Sequence, residues 1–315
     1  MSERLLFTRR DFGKLALAGL PLSIAFADIK SKFKGVQIGA ITYSFRSMSN
    51  PDDIINAYKT IGLGEMELMS GDAEKLAGAP IPAGRGFGGG RRGMTPEEQA
   101  DASKAQQALR AWRTSATEAT FRPVKKKIED AGIDLEILCY NMNVKTTTDD
   151  EIEYGFMMAK ALDVDVISTS TQVSMAKRTA PFANKHKIRL AFHGHDQTQN
   201  PDEVSSPETF AAVTAASKYH AINLDIGHFT AANFDPVAYI REHHDRITHL
   251  HLKDRKKDHG ANVPWGEGDT PIKQVLLLLR DRKYKIPGNI EFEYPGDPMV
   301  EIPKCVQYAK EALNA

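Results

Sequence analysis

Short apolar runs alternate with longer amphipathic stretches along most of the chain, from about residue 36 to the C-terminus. The apolar runs are rich in β-branched residues, which is typical of buried strands. Several of the longer stretches begin with a proline after a Ser or Asp cap, as at Ser206-Pro207 and Asp235-Pro236. A proline at the first helical position loses no hydrogen bond, so these pairs mark helix starts. The pattern therefore predicts strands that are separated by helices.

Eight strand–helix units can be read from this pattern. The predicted strands cover residues 36–45, 64–69, 134–141, 165–170, 188–195, 221–226, 247–252 and 289–294. The predicted helices cover residues 51–61, 96–131, 149–162, 171–184, 207–219, 236–245, 271–281 and 301–313. Strands separated by helices pair in parallel through right-handed crossovers. Eight units predict an α/β fold, a single-domain (β/α)8 TIM barrel over residues 28–315. An open doubly wound sheet is the alternative, but it usually stops at about five to seven strands.

Residues 71–94 interrupt the pattern with two prolines and a run of glycines. They predict a flexible Gly/Pro-rich insertion after the second strand, which is either a lid over the barrel mouth or a disordered surface loop. Gly84-x-Gly86-x-x-Gly89 within it has the spacing of a dinucleotide fingerprint. Because no strand leads directly into these glycines, the sequence favours a loop over a cofactor site.

Residues 1–27 have the features of an export signal. A charged start with Arg9 and Arg10 precedes a short apolar segment that ends in Ala25-Phe26-Ala27. An uncleaved anchor and a chance amphipathic helix are the alternatives. The paired arginines resemble a twin-arginine signal, which implies the twin-arginine export machinery as a partner and a periplasmic or otherwise exported location.

Charge and cysteine content narrow the classes of function. The 315 residues carry 41 basic and 41 acidic side chains. Without residues 1–27, the counts are 37 and 39, a formal net charge of −2. No bulk positive field exists to hold a nucleic acid, so we expect no such partner. Two cysteines, Cys139 and Cys305, exclude a disulfide-dense scaffold and a cysteine-built zinc site. We expect two free buried thiols, and a disulfide between them, which an oxidising compartment would allow, is the alternative.

Ionisable side chains are concentrated where the last four predicted strands end. All ten histidines lie between His186 and His259. The strand ends of a barrel meet at one rim, and an ionisable group inside a barrel is unfavourable unless it is paired or metal-bound. The four segments read Phe192-His193-Gly194-His195, Leu224-Asp225-Ile226-Gly227-His228, His249-Leu250-His251-Leu252-Lys253 and Ile290-Glu291-Phe292-Glu293.

These four strand ends predict a metal site. Residues two apart in a strand share a face, so each His or Glu pair in these segments points the same way. Together the strands place His, Asp, His and Glu at one rim. This mixed nitrogen and oxygen set suits one divalent ion, Mn²⁺, Mg²⁺, Co²⁺, Fe²⁺ or Zn²⁺. A hydrogen-bonded network without a metal is the alternative.

Six short sequence motifs are distributed over nearly the whole chain outside the insertion. They are Gly64-Glu65-Met66-Glu67-Leu68, Ala161-Leu162-Asp163-Val164, Leu224-Asp225-x-x-His228, His249-x-His251-x-Lys253-Asp254, Trp265-Gly266-Glu267-Gly268 and Ile290-Glu291-x-Glu293. In these motifs the chain resembles the sugar phosphate isomerase/epimerase superfamily, the xylose-isomerase-like TIM barrels. The resemblance implies a single divalent ion that is held by Glu, Asp, His and Glu from strands five to eight.

Position by position, the resemblance assigns the metal ligands to Asp225, His251 and Glu291, with Glu293 as a rival for the last. His193 stands where many members have a glutamate, and it would need an acceptor for its second ring nitrogen. The resemblance also implies substrate binding by His228. Three cationic side chains are further candidates for substrate contacts, with solvated charges as the alternative: Lys253, Arg255 and Lys257.

The resemblance implies an isomerase, an epimerase or a lyase that acts on a sugar or keto-sugar through a metal-stabilised enediolate. Glu291 or Glu293 would remove a proton, with His195 or His228 as the acid or second base. His193 makes a symmetric epimerisation between two metal-bound carboxylates doubtful. A non-catalytic, exported sugar-binding barrel is the alternative. The sequence leaves open whether the chain forms a homo-oligomer.

Overall fold

A computed structural model describes residues 28–81 and 95–315. Eight parallel strands, numbered here β1 to β8, form a closed barrel because β1 pairs with both β2 and β8. The (β/α)8 barrel that the sequence predicts is therefore confirmed. The strands are β1 Val36–Ile41, β2 Glu65–Met69, β3 Asp134–Cys139, β4 Val166–Thr169, β5 Arg189–His193, β6 His220–Asp225, β7 Ile247–Leu252 and β8 Gly288–Ile290.

Helices follow the strands and flank the barrel. Those of the described residues are α1 Pro51–Ile61, α2 Ser70–Leu76, α3 Pro96–Ser115, α4 Glu118–Asp130, α5 Asp149–Ala161, α6 Met175–His186, α7 Pro207–Ala215, α8 Ile226–Ala231, α9 Pro236–His243, α10 Ile272–Arg282 and α11 Pro298–Asn314. A 3₁₀ helix spans Thr42–Phe45, and three two-residue strands span Lys32–Phe33, Asp254–Arg255 and Asn262–Val263. In this part of the chain no helix combines the length and apolar character that crossing a membrane requires.

Strand β7 shows how the barrel separates an apolar layer from a polar one. Leu250 and Leu252 are fully buried in the apolar core that also contains Leu276 of α10. His249 and His251 alternate with these leucines and lie near Glu67 of β2, inside the barrel. The interior is therefore polar, whereas the layer between strands and helices is apolar.

Several predicted elements differ from the observed ones in their bounds, and helix α8 was not predicted. The first strand was predicted over residues 36–45, but β1 ends at Ile41 and a 3₁₀ helix follows. The fifth was predicted over residues 188–195, but β5 ends at His193, so His195 lies beyond the strand.

Two further differences have clear causes or consequences. The helix predicted over residues 96–131 is two helices, because Thr117 interrupts it and caps α4 in a capping box with Thr120. The last strand was predicted over residues 289–294, but β8 ends at Ile290. Glu291 and Glu293 therefore extend from the chain segment just beyond the strand.

The predicted insertion over residues 71–94 begins as ordered structure. Helix α2 covers Ser70–Leu76, and the Glu74 side chain is fully buried. Residues 82–94, which include the glycine run, lie outside the described residues, as does the predicted export signal over residues 1–27. Cys139 and Cys305 are buried and free, as expected.

Candidate functional site

Four buried side chains converge at the carboxyl ends of β5 to β8. They are His193, Asp225, His251 and Glu291, the residues that the sequence proposes as metal ligands. One nitrogen or oxygen atom from each lies within 4.8 Å of the corresponding atom of every other. The parallel register of neighbouring strands brings them together, since Asp225 pairs with His251 and β8 runs alongside β7.

Asp225 is fixed in place by the turn from β6 into α8. Its Oδ1 accepts a hydrogen bond of 2.7 Å from the backbone N–H of His228 and so caps the helix. Its Oδ2 is left for the site and lies 3.4 Å from Nε2 of His193. Gly227 in this turn has no side chain because a Cβ there would lie 2.2 Å from Cγ of Lys253. The turn thus aims one carboxylate oxygen at the cluster.

His193 has the orienting partner that a histidine ligand needs. Its Nδ1 lies 3.2 Å from the hydroxyl of Ser170, and its Nε2 faces Asp225 and Glu291. Burial opposes its charged form, but hydrogen bonds with the two carboxylates outweigh burial and raise the pKa of His193. When Nδ1 carries the hydrogen and donates it to the Ser170 hydroxyl, the lone pair of Nε2 is available to a metal ion.

His251 joins the cluster to a deeper part of the barrel. Its Nδ1 lies 2.9 Å from Oε2 of Glu291, and its Nε2 lies 2.7 Å from Oε2 of Glu67. Burial disfavours its charged form, but the two carboxylates outweigh this and raise the pKa of His251 well above its ordinary value. Burial of Glu67 is likewise overcome by His251 and His249, which hold the pKa of that carboxyl low.

Lys253 supplies the positive charge within the cluster. Its amino group lies 2.9 Å from Oε2 of Glu291 and 3.1 Å from Oδ2 of Asp225, and it also bonds to Glu293. Burial opposes the ammonium form, but these three carboxylates raise the pKa of Lys253 far above its usual range. The sequence proposed Lys253 as a substrate contact, whereas its side chain is 3% exposed and bonded to protein groups.

A cavity of about 360 Å³ lies over the cluster. His195, His228 and Glu293, all proposed from the sequence to act on substrate, line it together with His193 and Glu291. The other lining residues are Ile41, Tyr43, Met69, Cys139, Asn141, Ser168, Ser170 and His251. Among the described residues that line the cavity none is a lysine or arginine.

His195 is oriented by a carboxylate. Its Nδ1 is hydrogen-bonded to Oε1 of Glu203, and its ring centre lies 5.4 Å from that of His228. This bond fixes a hydrogen on Nδ1 and leaves Nε2 as the second ring nitrogen. The arrangement is that of an acid or base group with an orienting partner.

Arg255 was proposed as a substrate contact, but it lies behind the cavity wall. Its guanidinium donates to the backbone oxygen of Gly260, pairs with Asp196 and contacts Nδ1 of His228. It holds His228 in position instead of lining the cavity.

Hydrogen bonds from His228 and Arg255 outweigh burial and lower the pKa of Asp196. Burial and the charge of Lys253 lower the pKa of His228, which favours its neutral form.

Sequence reasoning assigned no role to Glu67, Ser170 and Glu203. Glu67 carries a signal, since it is a charged residue in the middle of an apolar strand and lies in a quoted motif. Ser170 and Glu203 carry none, because their role follows from the histidines that they meet across the rim.

The donor set fits a divalent metal ion. It offers two imidazoles and two carboxylates, each buried, with Ser170 and Glu67 placed to fix the two histidine rings. Nitrogen and oxygen ligands of this kind suit Zn²⁺, Co²⁺, Fe²⁺ and Mn²⁺.

Comparisons with known proteins agree with the barrel. Among curated proteins, an inosose dehydratase of Salmonella typhimurium is 28% identical over 148 residues, which cover 41% of this chain and 46% of that protein. The alignment thus spans about half the length of the curated relative.

Among solved structures, the probable 3-DHS dehydratase AsbF of Bacillus anthracis has a TM-score of 0.60 at 13% identity, over 89% of this chain and 99% of that chain. An IolI protein that was solved with a zinc atom has a TM-score of 0.59 at 12% identity, over 88% and 96%. Residues 170–314, which carry all four candidate ligands, match the family model described as xylose isomerase-like TIM barrel.

Proposed function

We propose that this chain is a divalent-metal-dependent lyase that removes water, or a comparable β-substituent, from a sugar-like ketone. The observation that carries the proposal is the cluster of His193, Asp225, His251 and Glu291 within 4.8 Å, beneath a cavity lined by further acid and base groups. The curated relatives that align with this chain are named inosose dehydratases, and a dehydratase removes water.

The cavity supports an uncharged, hydroxyl-rich substrate. Asn141, Ser168 and Ser170 offer hydrogen bonds to hydroxyl groups, and Tyr43 adds a ring and a phenol. The described lining residues include no lysine or arginine to bind a phosphate. An unphosphorylated sugar or cyclic polyol ketone therefore suits the cavity.

A divalent ion held by the four ligands would polarise the carbonyl group of such a substrate. Glu293 lines the cavity outside the ligand cluster and is held by Lys253, so it is placed to take the proton next to the carbonyl. The electron pair of the broken C–H bond forms a C=C bond as the β-hydroxyl leaves. The imidazolium form of His195, whose Nδ1–H is held by Glu203, would give its Nε2 proton to this hydroxyl, which leaves as water, and would become neutral imidazole.

An elimination uses these groups better than a symmetric epimerisation does. Epimerisation between two metal-bound carboxylates needs a base on each face of the substrate carbon. His193 takes the place of one such carboxylate, and its Nε2 is directed at Asp225 and Glu291. The remaining pair, Glu293 and His195, is a base and an acid of different kinds, as an elimination requires.

Metal analysis followed by a reaction screen tests the proposal. The protein is first stripped of metal with a chelator and then reconstituted with Zn²⁺, Mn²⁺, Co²⁺, Fe²⁺ or Mg²⁺. The number of bound ions per chain is then measured for the wild type and for Asp225→Ala. We expect one ion per wild-type chain and a loss of tight binding in Asp225→Ala. Glu293→Gln is the matched control, since it should keep the metal and lose turnover.

The screen uses inososes and 3-keto-glycosides in deuterium oxide. A product that has lost one water or one β-substituent supports the lyase. A product that has gained deuterium but has lost no group indicates an isomerase or epimerase. Sugar binding without bound metal or turnover would show a sugar-binding barrel and contradict the proposal.

Export through the twin-arginine route is a separate proposal, which rests on residues 1–27. It is tested by fractionating cells that express an Arg9→Lys, Arg10→Lys variant.

A further inference from the structure

His251 belongs to two buried clusters of potential metal ligands. Its Nδ1 faces Glu291 in the cluster at the rim, and its Nε2 faces Glu67 and His249 deeper in the barrel. A neutral imidazole has a lone pair on one ring nitrogen and a hydrogen on the other. A neutral His251 therefore ligates an ion on only one of its two sides.

We propose that Glu67 makes this choice: it accepts a hydrogen bond from Nε2 of His251 and so directs the Nδ1 lone pair to a metal ion at the rim. This inference rests on the metal dependence of the proposed function. Glu67 is a positioning residue, since it acts on the ion through His251. It is fully buried, and its Oε2 lies 2.7 Å from that nitrogen. An ionised carboxylate only accepts hydrogen bonds, so the ring nitrogen that faces it carries a hydrogen. Glu291 faces Nδ1 in the same way, but Glu291 is itself a candidate ligand. An ion bound at the rim would therefore replace the hydrogen on Nδ1 and leave the one on Nε2, which Glu67 accepts.

The surroundings of Glu67 hold its carboxylate in this role. Nδ2 of Asn289 donates to the same Oε2 over 3.1 Å and fixes the group from the side of β8. His251 and Asn289 thus both bond to Oε2, the oxygen that faces the imidazole. Carboxylate partners of this kind raise the basicity of a metal-bound histidine and fix the direction of its ring.

The neighbouring amide of Asn223 is compatible with the same tautomer. As placed, Nδ2 of Asn223 lies 3.1 Å from Nε2 of His251 and 3.0 Å from Oγ of Ser168, while Oδ1 has no hydrogen-bond partner among the described residues. The proposed tautomer therefore requires this amide to be flipped end for end. The two ends of an amide have nearly the same shape. With the oxygen at this end, it accepts from both Nε2–H and the Ser168 hydroxyl, and no two donors face each other.

The competing arrangement is a second ion held by Glu67, His249 and Nε2 of His251. Nε2 of His249 lies 3.4 Å from Oε2 of Glu67. Neither it nor Oε1 of Glu67 has a hydrogen-bond partner among the described residues. An ion there would take the lone pair of Nε2 and force the hydrogen onto Nδ1, which would remove His251 from the rim cluster.

Metal affinity separates these arrangements without reference to turnover. Zn²⁺ dissociation constants are measured by competition with a chromogenic chelator for the wild type, Glu67→Ala, Glu67→Gln and Glu65→Gln. We expect Glu67→Ala to bind Zn²⁺ roughly 10- to 100-fold more weakly. Glu67→Gln should lose less, because its amide oxygen still accepts a hydrogen bond. Glu65→Gln is the matched control, since Glu65 is a buried glutamate two positions away on the same strand, and we expect its affinity to stay within about twofold.

The tautomer is read directly from ¹¹³Cd-loaded protein with ¹⁵N-labelled histidine. We expect coupling of cadmium to Nδ1 of His251 and a hydrogen on Nε2. Coupling to Nε2, or two tightly bound ions of which Glu67→Gln loses one, would overturn the inference. Zn²⁺ affinities of both Glu67 variants that equal the affinity of Glu65→Gln would also overturn it. If Glu67→Ala does not fold, the comparison is made with Glu67→Gln alone. A wild type without tight metal binding contradicts the proposed function as well, whereas unchanged binding in the variants contradicts this inference alone.

Discussion

The amino group of Lys253 lies 3.1 Å from Oδ2 of Asp225, inside the cluster of candidate metal ligands. It is also 2.9 Å from Oε2 of Glu291. One ammonium group therefore neutralises part of the charge of both carboxylates that would bind a divalent ion. Without such a partner, burying these carboxylates would cost several kcal/mol each.

Replacing this lysine should make stability depend on metal. We expect Lys253→Met to lose about 3–5 kcal/mol of unfolding free energy in the presence of EDTA, because it leaves buried carboxylates without a counter-charge. Excess Zn²⁺ should reduce the deficit, since the ion takes over that charge. Urea unfolding with EDTA and with Zn²⁺ measures both values. Lys304→Met, which breaks an exposed pair with Glu301, is the control and should change stability by less than about 1 kcal/mol. An equal deficit under both conditions would argue against a metal at these carboxylates.

The histidine at position 193 should set the metal preference. Imidazole suits Zn²⁺ and Co²⁺, whereas a carboxylate suits Mn²⁺ and Mg²⁺. We expect His193→Glu to lower the ratio of Zn²⁺ affinity to Mn²⁺ affinity by about tenfold or more. Competition titrations with both ions measure the ratio. Ser170→Ala is the control, since loss of the hydroxyl 3.2 Å from Nδ1 should weaken both ions without changing their ratio. A ratio that stays the same in His193→Glu would exclude His193 as a ligand.

The strand register made the ligand cluster predictable from the sequence. Parallel strands of a barrel end at one rim, so the period of two within each strand predicted that a His, an Asp, a His and a Glu meet there. The choice of Asp225 and His251 within these segments came from the resemblance to the xylose-isomerase-like barrels. The choice between Glu291 and Glu293 was not predictable, because β8 ends at Ile290 and both residues follow it. The structure places Glu291 in the cluster and Glu293 at the cavity wall.

The supporting contacts were beyond the reach of sequence patterns. Glu203 lies in a loop eight residues after His195, and nothing in its spacing indicates that the two side chains meet. The protein partners of Arg255 were not predictable either, because its position next to a rim motif only made it a candidate for substrate contact. The structure shows its Nε, Nη1 and Nη2 groups in contact with Gly260, Asp196 and His228.

The Glu203–His195 pair should matter for turnover and not for metal. We expect Glu203→Gln to lower kcat by about 100-fold, because His195 loses the carboxylate that orients it for proton donation. KM and metal content should remain close to the wild-type values, since Glu203 lies outside the ligand cluster. Steady-state kinetics on the substrate found in the screen, with metal analysis on the same samples, measures these effects. Glu208→Gln, at the exposed start of α7, is the control. A loss of metal in Glu203→Gln would mean that Glu203 supports the cluster instead.

Glu65 should make stability fall as the pH rises. Burial, then the neighbouring charge of Glu67, raises the pKa of Glu65 well above its ordinary value of 4.5. The folded chain therefore keeps a proton that the unfolded chain loses above about pH 4.5. The contribution of this group is complete below that pH and declines by about 1.4 kcal/mol per pH unit until the folded pKa is reached. Glu65→Gln has no proton to lose, so its unfolding free energy relative to wild type should increase with pH above about 4.5, until the pH at which Glu65 ionises in the folded chain. Urea unfolding at four pH values measures this slope, and the exposed Glu311→Gln should show none. A constant difference between Glu65→Gln and wild type would show that Glu65 is ionised in the folded barrel.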